Sequence, residues 1–187
     1  MDRIADWIKN INFEALTHPP EPFKVFRCEN PGDATDPFFA KVAKIQKMLS
    51  EKYLWLSDEF RDENTVKALV TSLFYSPVFN VWYEAGNFQG LLGFKDVHPG
   101  FKCDMTFKIW DDKLWTKSLV RAGQKLADTF MKEFMLKRIS SATADVRIQR
   151  MAEMIGFVTE GAQPEAFRWN GKFYTKILLG KYEKNGE

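Results

Sequence analysis

Cysteine is almost absent from this chain: 187 residues carry two, Cys28 and Cys103, far apart and in no metal-binding or redox spacing. Neither a structural disulfide nor a metal site is expected, and a reduced, cytoplasmic compartment is the simplest reading. Net charge is scarce too. Twenty-seven Lys and Arg against 25 Asp and Glu leave +2, too little to make a phosphate polymer or an anionic membrane the default partner. No apolar run approaches the roughly 20 residues of a membrane span. The first ten residues mix Asp2, Arg3, Asp6 and Lys9 with apolar side chains, unlike a secretion signal. Internal repeats, low-complexity tracts and linkers are also missing, so residues 1–187 read as a single domain, with 1–20 as a helical extension. What is present is a composition of 45 % hydrophobic and 28 % charged residues, as in soluble globular chains, and 15 % aromatics, with 17 Phe and 6 Trp, which point to a dense core.

Ile4, Trp7, Ile8 and Ile11 fall at helical spacing, which predicts a short amphipathic helix that either packs on the domain or docks a partner or second subunit. Residues 23–27 read as a strand, followed by the turn signal Asn30-Pro31-Gly32-Asp33. Helical periodicity from Phe38 to Leu49 precedes a second helix that Asn64 is expected to cap, with Tyr53 to Leu56 undecided between them. Residues 78–84, a turn at Ala85-Gly86-Asn87, residues 88–97, the turn His98-Pro99-Gly100 and residues 103–110 predict an antiparallel meander. A long helix over 119–136, a strand over 138–143, a helix over 146–155 stopped by Gly156, and a hairpin turning at Asn170-Gly171 complete the chain. The expected fold is therefore α/β, with a mixed, mostly antiparallel sheet. The strands at 103–110 and 138–143 should be parallel neighbours, because a crossover helix is what joins such a pair.

This order of elements, together with Arg138-Ile139, Glu153-Met154-Ile155-Gly156-Phe157-Val158-Thr159-Glu160-Gly161 and Asn170-Gly171-Lys172, resembles the GNAT superfamily of acyl-CoA-dependent N-acetyltransferases. It is most similar to the branch that acetylates ribosomal-protein N-termini, whose chains often read E-x-x-G-F-x-x-E-G before a hairpin with N-G-K. The resemblance runs from about Val78 to Tyr182. It implies acetyl-CoA as cosubstrate and a protein or small-molecule amine as acceptor. It also implies a coenzyme site at the loop between the third meander strand and the long helix, where backbone N–H groups and the helix N-terminus hold pyrophosphate.

In that loop the family's Q/R-x-x-G-x-G/A is replaced by Asp111-Asp112-Lys113-Leu114-Trp115-Thr116-Lys117-Ser118-Leu119, without glycine. The resemblance places coenzyme contacts at Trp115, Thr116, Lys117, Ser118, Leu119 and Arg121, and at Asp145, which stands where relatives carry Asn. Ala152 takes the place where many relatives put a tyrosine acid. Asp104 is the first candidate for general base and Glu84 the second. Trp115 separates two outcomes: an indole turned outward leaves the N–H groups of 116–119 to a coenzyme, and one lying in the groove takes that volume itself. The alternative function is thus an inactive GNAT-fold binding or assembly module without coenzyme. A third possibility pairs Lys113, Lys117, Arg121 and Lys125 with Trp110 and Trp115 as a single-strand nucleic-acid surface, which Asp111 and Asp112 oppose.

Overall fold

The structure, a computed structural model, describes residues 13–26, 43, 45, 47, 57–62, 64–66, 68 and 80–183. The expected helix over residues 4–11, Cys28, the turn at 30–33 and the patch at 53–56 lie outside the described residues. A short helix α1 (Phe13–Thr17) leads into β1 (Phe23–Phe26). The meander follows as β2 (Val81–Ala85), β3 (Gly90–His98) and β4 (Lys102–Ile109). Then come α2 (Lys117–Glu133), β5 (Arg138–Thr143), α3 (Val146–Ile155), β6 (Val158–Trp169) and β7 (Lys172–Tyr182). Seven strands form one sheet in the order β1-β2-β3-β4-β5-β7-β6. Every pairing is antiparallel except β4 with β5, which is parallel and joined by α2, as the sequence predicts.

Strand alternation sorts β4 into two faces. Cys103, Met105, Phe107 and Ile109 are buried towards the helices, whereas Asp104, Thr106 and Lys108 point to the opposite face and are half-buried. The helical side is a continuous aromatic and aliphatic core. Phe130 of α2 is fully buried and stacks on Phe94 of β3 at 3.9 Å and on Phe134 at 4.5 Å. Cys103 is a core residue here, its thiol pushed up to about 12 by burial and, secondarily, by the Asp104 charge. The Tyr83 hydroxyl donates to the Leu16 carbonyl at 3.1 Å, tying α1 to the sheet. On the opposite face Trp82 lies flat over Gly93, where an added Cβ would come within 2.3 Å of its ring. Gly93→Ala should therefore destabilise the domain by about 1 to 3 kcal/mol through overpacking, read as a lowered denaturation midpoint; an unchanged midpoint would mean that Trp82 is free to move.

Three boundaries differ from the sequence expectation. The meander turn is longer than expected: Gly86 and Phe88 both take positive φ, and β3 starts at Gly90. The long helix ends at Glu133 because Met135 enters the left-handed region at φ 50° and the Leu136 N–H closes on the Met131 carbonyl at 2.8 Å, a helix stop made without glycine. Asn64 lies inside its helical segment, and Asp62 is the cap, its carboxylate accepting from the Thr65 N–H at 3.0 Å. At the end of α3, by contrast, Gly156 stands at φ 101° and the Phe157 N–H reaches the Ala152 carbonyl at 2.9 Å, dropping the Phe157 ring into the core.

Candidate active-site cleft

Pairing between β4 and β5 runs from Lys102↔Arg138 to Asp104↔Ser140 and then stops, although β4 continues to Ile109 and β5 to Thr143. Beyond that point each strand follows its other neighbour: β4 stays with β3 as far as Ile109↔Gly90, and β5 stays with β7 as far as Thr143↔Ile177. The two half-sheets diverge like an opening V. Between them lies a cleft of about 560 Å³. One wall is 106–109 of β4, the other 141–145 at the end of β5 and the cap of α3, with Trp115, Arg147 and Ile148 lining it as well. Residues from the 57–59 segment and from the β6–β7 hairpin, including Glu59, Arg168, Phe173 and Lys176, complete the lining.

The loop before α2 is built from caps. Asp111 accepts from the Lys113 N–H at 2.9 Å and starts a 3₁₀ turn at Asp112–Leu114; Thr116 then caps α2 by accepting from the Leu119 N–H at 3.1 Å. Asp145 caps α3, accepting from the Arg147 N–H at 2.8 Å, and is almost fully buried. The Arg147 guanidinium binds Asp112 at 3.0 Å and Asp145 at 3.3 Å and sits 5.5 Å over the Trp115 ring. Both carboxylates raise the Arg147 pKa, the Asp145 hydrogen bond most of all. Trp115 is thus held at the cleft wall, half-buried against the core, and its buried indole N–H has no acceptor among the described residues. The indole does not swing out to solvent.

The other expected contacts scatter. Lys117 and Ser118 are exposed in the first turn of α2, where N–H groups lack intrahelical acceptors. The Leu119 N–H is taken by Thr116 and its side chain is buried in the core, while Arg121 lies on the outer face of α2 beside Lys125 and Asp128. Asp104 opens into an adjoining hollow of about 410 Å³ that shares Thr106, Ser141, Ala142 and Lys176 with the cleft. Glu84 sits two strands away, opposite Leu91, which itself faces Lys108, and it is not among the cleft residues. Ala152 is buried, leaving no acid at that place. Trp110 turns inward, its N–H donating to the Phe88 carbonyl at 2.6 Å. With Trp110 buried and Trp115 under Arg147, these two rings form no shared stacking face beside the lysines. Among the described residues no group of His, Cys, Asp and Glu is placed to hold a metal, and no helix is long and apolar enough to cross a membrane.

The sequence reading missed Lys108, although the alternation that puts Asp104 on the open face puts Lys108 there too. Its pKa is lowered to about 8, first by loss of water around the ammonium and further by Lys95, against the pull of Asp145. Between about pH 8 and the ordinary lysine value of 10.5 the unfolded chain holds a proton that the folded one has released, so Lys108 makes stability rise with pH across that window. Lys108→Met should abolish this rise in a pH series of denaturation midpoints; persistence of the rise would assign it to another group.

No protein-family model and no curated protein matches the chain. Solved structures do. A spermidine N-acetyltransferase from Vibrio cholerae, in complex with CoA and spermine, superposes with a TM-score of 0.62 at 15 % identity, covering 86 % of this chain and 95 % of that one. This chain has the GNAT fold. A ribosomal-protein-S5-alanine acetyltransferase from Vibrio fischeri gives a TM-score of 0.58 at 17 % identity, over 79 % of this chain and 91 % of the other. A GNAT-family acetyltransferase from Bacillus anthracis gives 0.57 at 14 % identity, over 77 % and 90 %.

Proposed function

We propose that this GNAT-fold chain transfers an acetyl group from acetyl-CoA to a primary amine on a protein or small molecule. The observation that carries the proposal is the divergence of β4 and β5 after Asp104 and Ser140, which leaves two unpaired strand edges facing one cleft. Such edges offer N–H and C=O groups at β spacing, and an amide-bearing coenzyme arm can pair with them as an added strand would. The neighbours' printed activities, on spermidine and on a ribosomal-protein alanine, support an amine acceptor in general.

The pyrophosphate would meet the N–H groups of Lys117 and Ser118 at the start of α2, with the Lys117 charge beside them. Lysine charge then substitutes for the backbone approach that glycines permit in relatives. The Trp115 indole N–H at the cleft wall, without an acceptor among the described residues, would be a further donor for a coenzyme oxygen. Asp104 lines the hollow joined to the cleft at Thr106 and would take the proton of the bound ammonium, directly or through water, before the neutral amine attacks, with Glu84 as the more distant candidate.

A second reading, a GNAT-fold binding module without coenzyme, draws on one observation, the Trp115 ring fixed at the cleft wall beneath Arg147. Calorimetric titration with acetyl-CoA and with free CoA separates the two. Micromolar binding, followed by acetyl transfer to one member of a panel of N-terminal peptides, lysine peptides and polyamines, is the expected result. Absence of heat and of thermal shift at millimolar coenzyme would overturn the acetyltransferase and leave the binding module.

A further inference from the structure

Two lysines line the cleft, Lys108 and Lys176, and they belong to different walls. Lys176 comes from the β6–β7 hairpin, which covers the cleft, whereas Lys108 stands on the stretch of β4 that keeps its pairing with β3 but has left β5, four residues beyond the last β4–β5 pair. An extended thioester arm laid along the edge of β4 that β5 leaves would meet Lys108 before an amine entering beside the hairpin. We propose that Lys108 is itself an acetyl acceptor, modified by the coenzyme bound in its own cleft when no external amine is present; this rests on the acetyltransferase reading above.

The step is balanced without any further reactant. The Lys108 Nζ lone pair attacks the thioester carbonyl, the C–N bond forms, the C–S bond breaks, CoA leaves as its thiolate, and the proton lost from nitrogen ends on that sulfur through solvent. Attack requires neutral nitrogen. With its pKa near 8, Lys108 is neutral about a tenth of the time at pH 7, several hundred times the fraction of an ordinary lysine. The charges around it include Lys95 from β3, Asp145 from the cap of α3 and, across the cleft, Glu165, Arg168 and Lys176 from the hairpin strands, Arg147 from α3 and Glu59. Asp145 holds the proton on, Lys95 helps expel it, and burial outweighs both. Acetylation replaces a cation on the cleft wall by a neutral, bulkier amide, so the modified chain should also bind a second coenzyme less well.

Incubation of the full chain with acetyl-CoA and no amine, followed by intact mass and peptide mapping, tests this. Expected is a single acetyl group, on Lys108, formed about a hundredfold faster than on any surface lysine because the reactants are held together. Its rate should climb about tenfold from pH 7 to above pH 8 and then level. It should be absent in urea and in Lys108→Arg, and retained in Lys176→Arg. Calorimetry on the same sample keeps the two proposals apart. Coenzyme binding with no acetyl group on Lys108, or with acetylation spread over surface lysines or placed on Lys176, overturns the self-modification and spares the acetyltransferase. Absence of binding overturns both.

Discussion

Phe130→Ala should lower the free energy of unfolding by about 3 to 5 kcal/mol, a large part of what a domain of this size possesses. The ring is fully buried in the last turn of α2, stacked against Phe94 from β3 on one side and Phe134 on the other. Removing it deletes the transfer energy of the ring and leaves a hole between helix and sheet that two neighbouring rings cannot fill without abandoning their own partners. Chemical denaturation followed by tryptophan fluorescence measures the loss, with Phe130→Leu as the milder companion. A loss below about 1 kcal/mol would mean that the core closes over the hole and that the stacking is incidental. The loss should also reach the cleft, because α2 presents the Thr116 cap at one end while its last turn packs on β3, the strand against which the cleft wall of β4 is paired.

The core was largely legible from the sequence because it depends on two periodicities. Leu119, Leu126, Phe130 and Phe134 recur on one side of a helix, and Cys103, Met105, Phe107 and Ile109 alternate along a strand; all eight are buried. Gly156 announced its left-handed stop because glycine is the residue that adopts that conformation without cost. Met135 makes the same turn with no such mark, and the predicted helix overran it accordingly. The cleft was legible in a different measure. Resemblance directed attention to a continuous segment, residues 111–121, whereas most of the wall is discontinuous: 106–109, 141–145, 57–59 and the hairpin come together through the divergence of two strands and the return of the chain. Of the expected contacts, Trp115 and Asp145 reach that wall, and Leu119 and Arg121 point elsewhere for reasons of helix geometry: 119 falls on the core side and 121 on the outer side. No local pattern marks Ser57, Glu59 or Arg168 as cleft residues, because their placement depends on a contact between segments more than 100 positions apart.

That contact is where the second large effect is expected. Asn170 and Gly171 at the tip of the β6–β7 hairpin both take positive φ, 51° and 71°, which turns their N–H groups to the same side as a small anion nest. The Asp58 carboxylate fills it, accepting from both at 2.9 Å, while Arg61 and Arg168 pair with the same carboxylate at 3.2 Å and 3.6 Å and Arg61 also donates to the Asn170 side chain at 2.6 Å. The Gly171 hydrogen bond, then that of Asn170 and the two guanidinium groups, hold the Asp58 pKa below its ordinary value, so the clasp is complete at neutral pH and is lost as pH falls through that lowered value. Asp58 therefore clips the segment bearing Ser57 and Glu59 to the hairpin bearing Arg168 and Phe173, and these are the residues that close the cleft opposite β4. Asp58→Ala should speed hydrogen exchange of the Asn170 and Gly171 amides about tenfold or more, a readout independent of any activity. In the acetyl-transfer assay it should raise the acceptor KM by about tenfold while leaving coenzyme affinity within about twofold, because the edge proposed for the coenzyme is built by β4 and β5 and the clasp shapes only the far side. Asp58→Asn, which keeps one accepting oxygen, should fall between the two. Faster exchange with unchanged acceptor KM would place the acceptor away from the hairpin; unchanged exchange would show that the hairpin holds its position without Asp58.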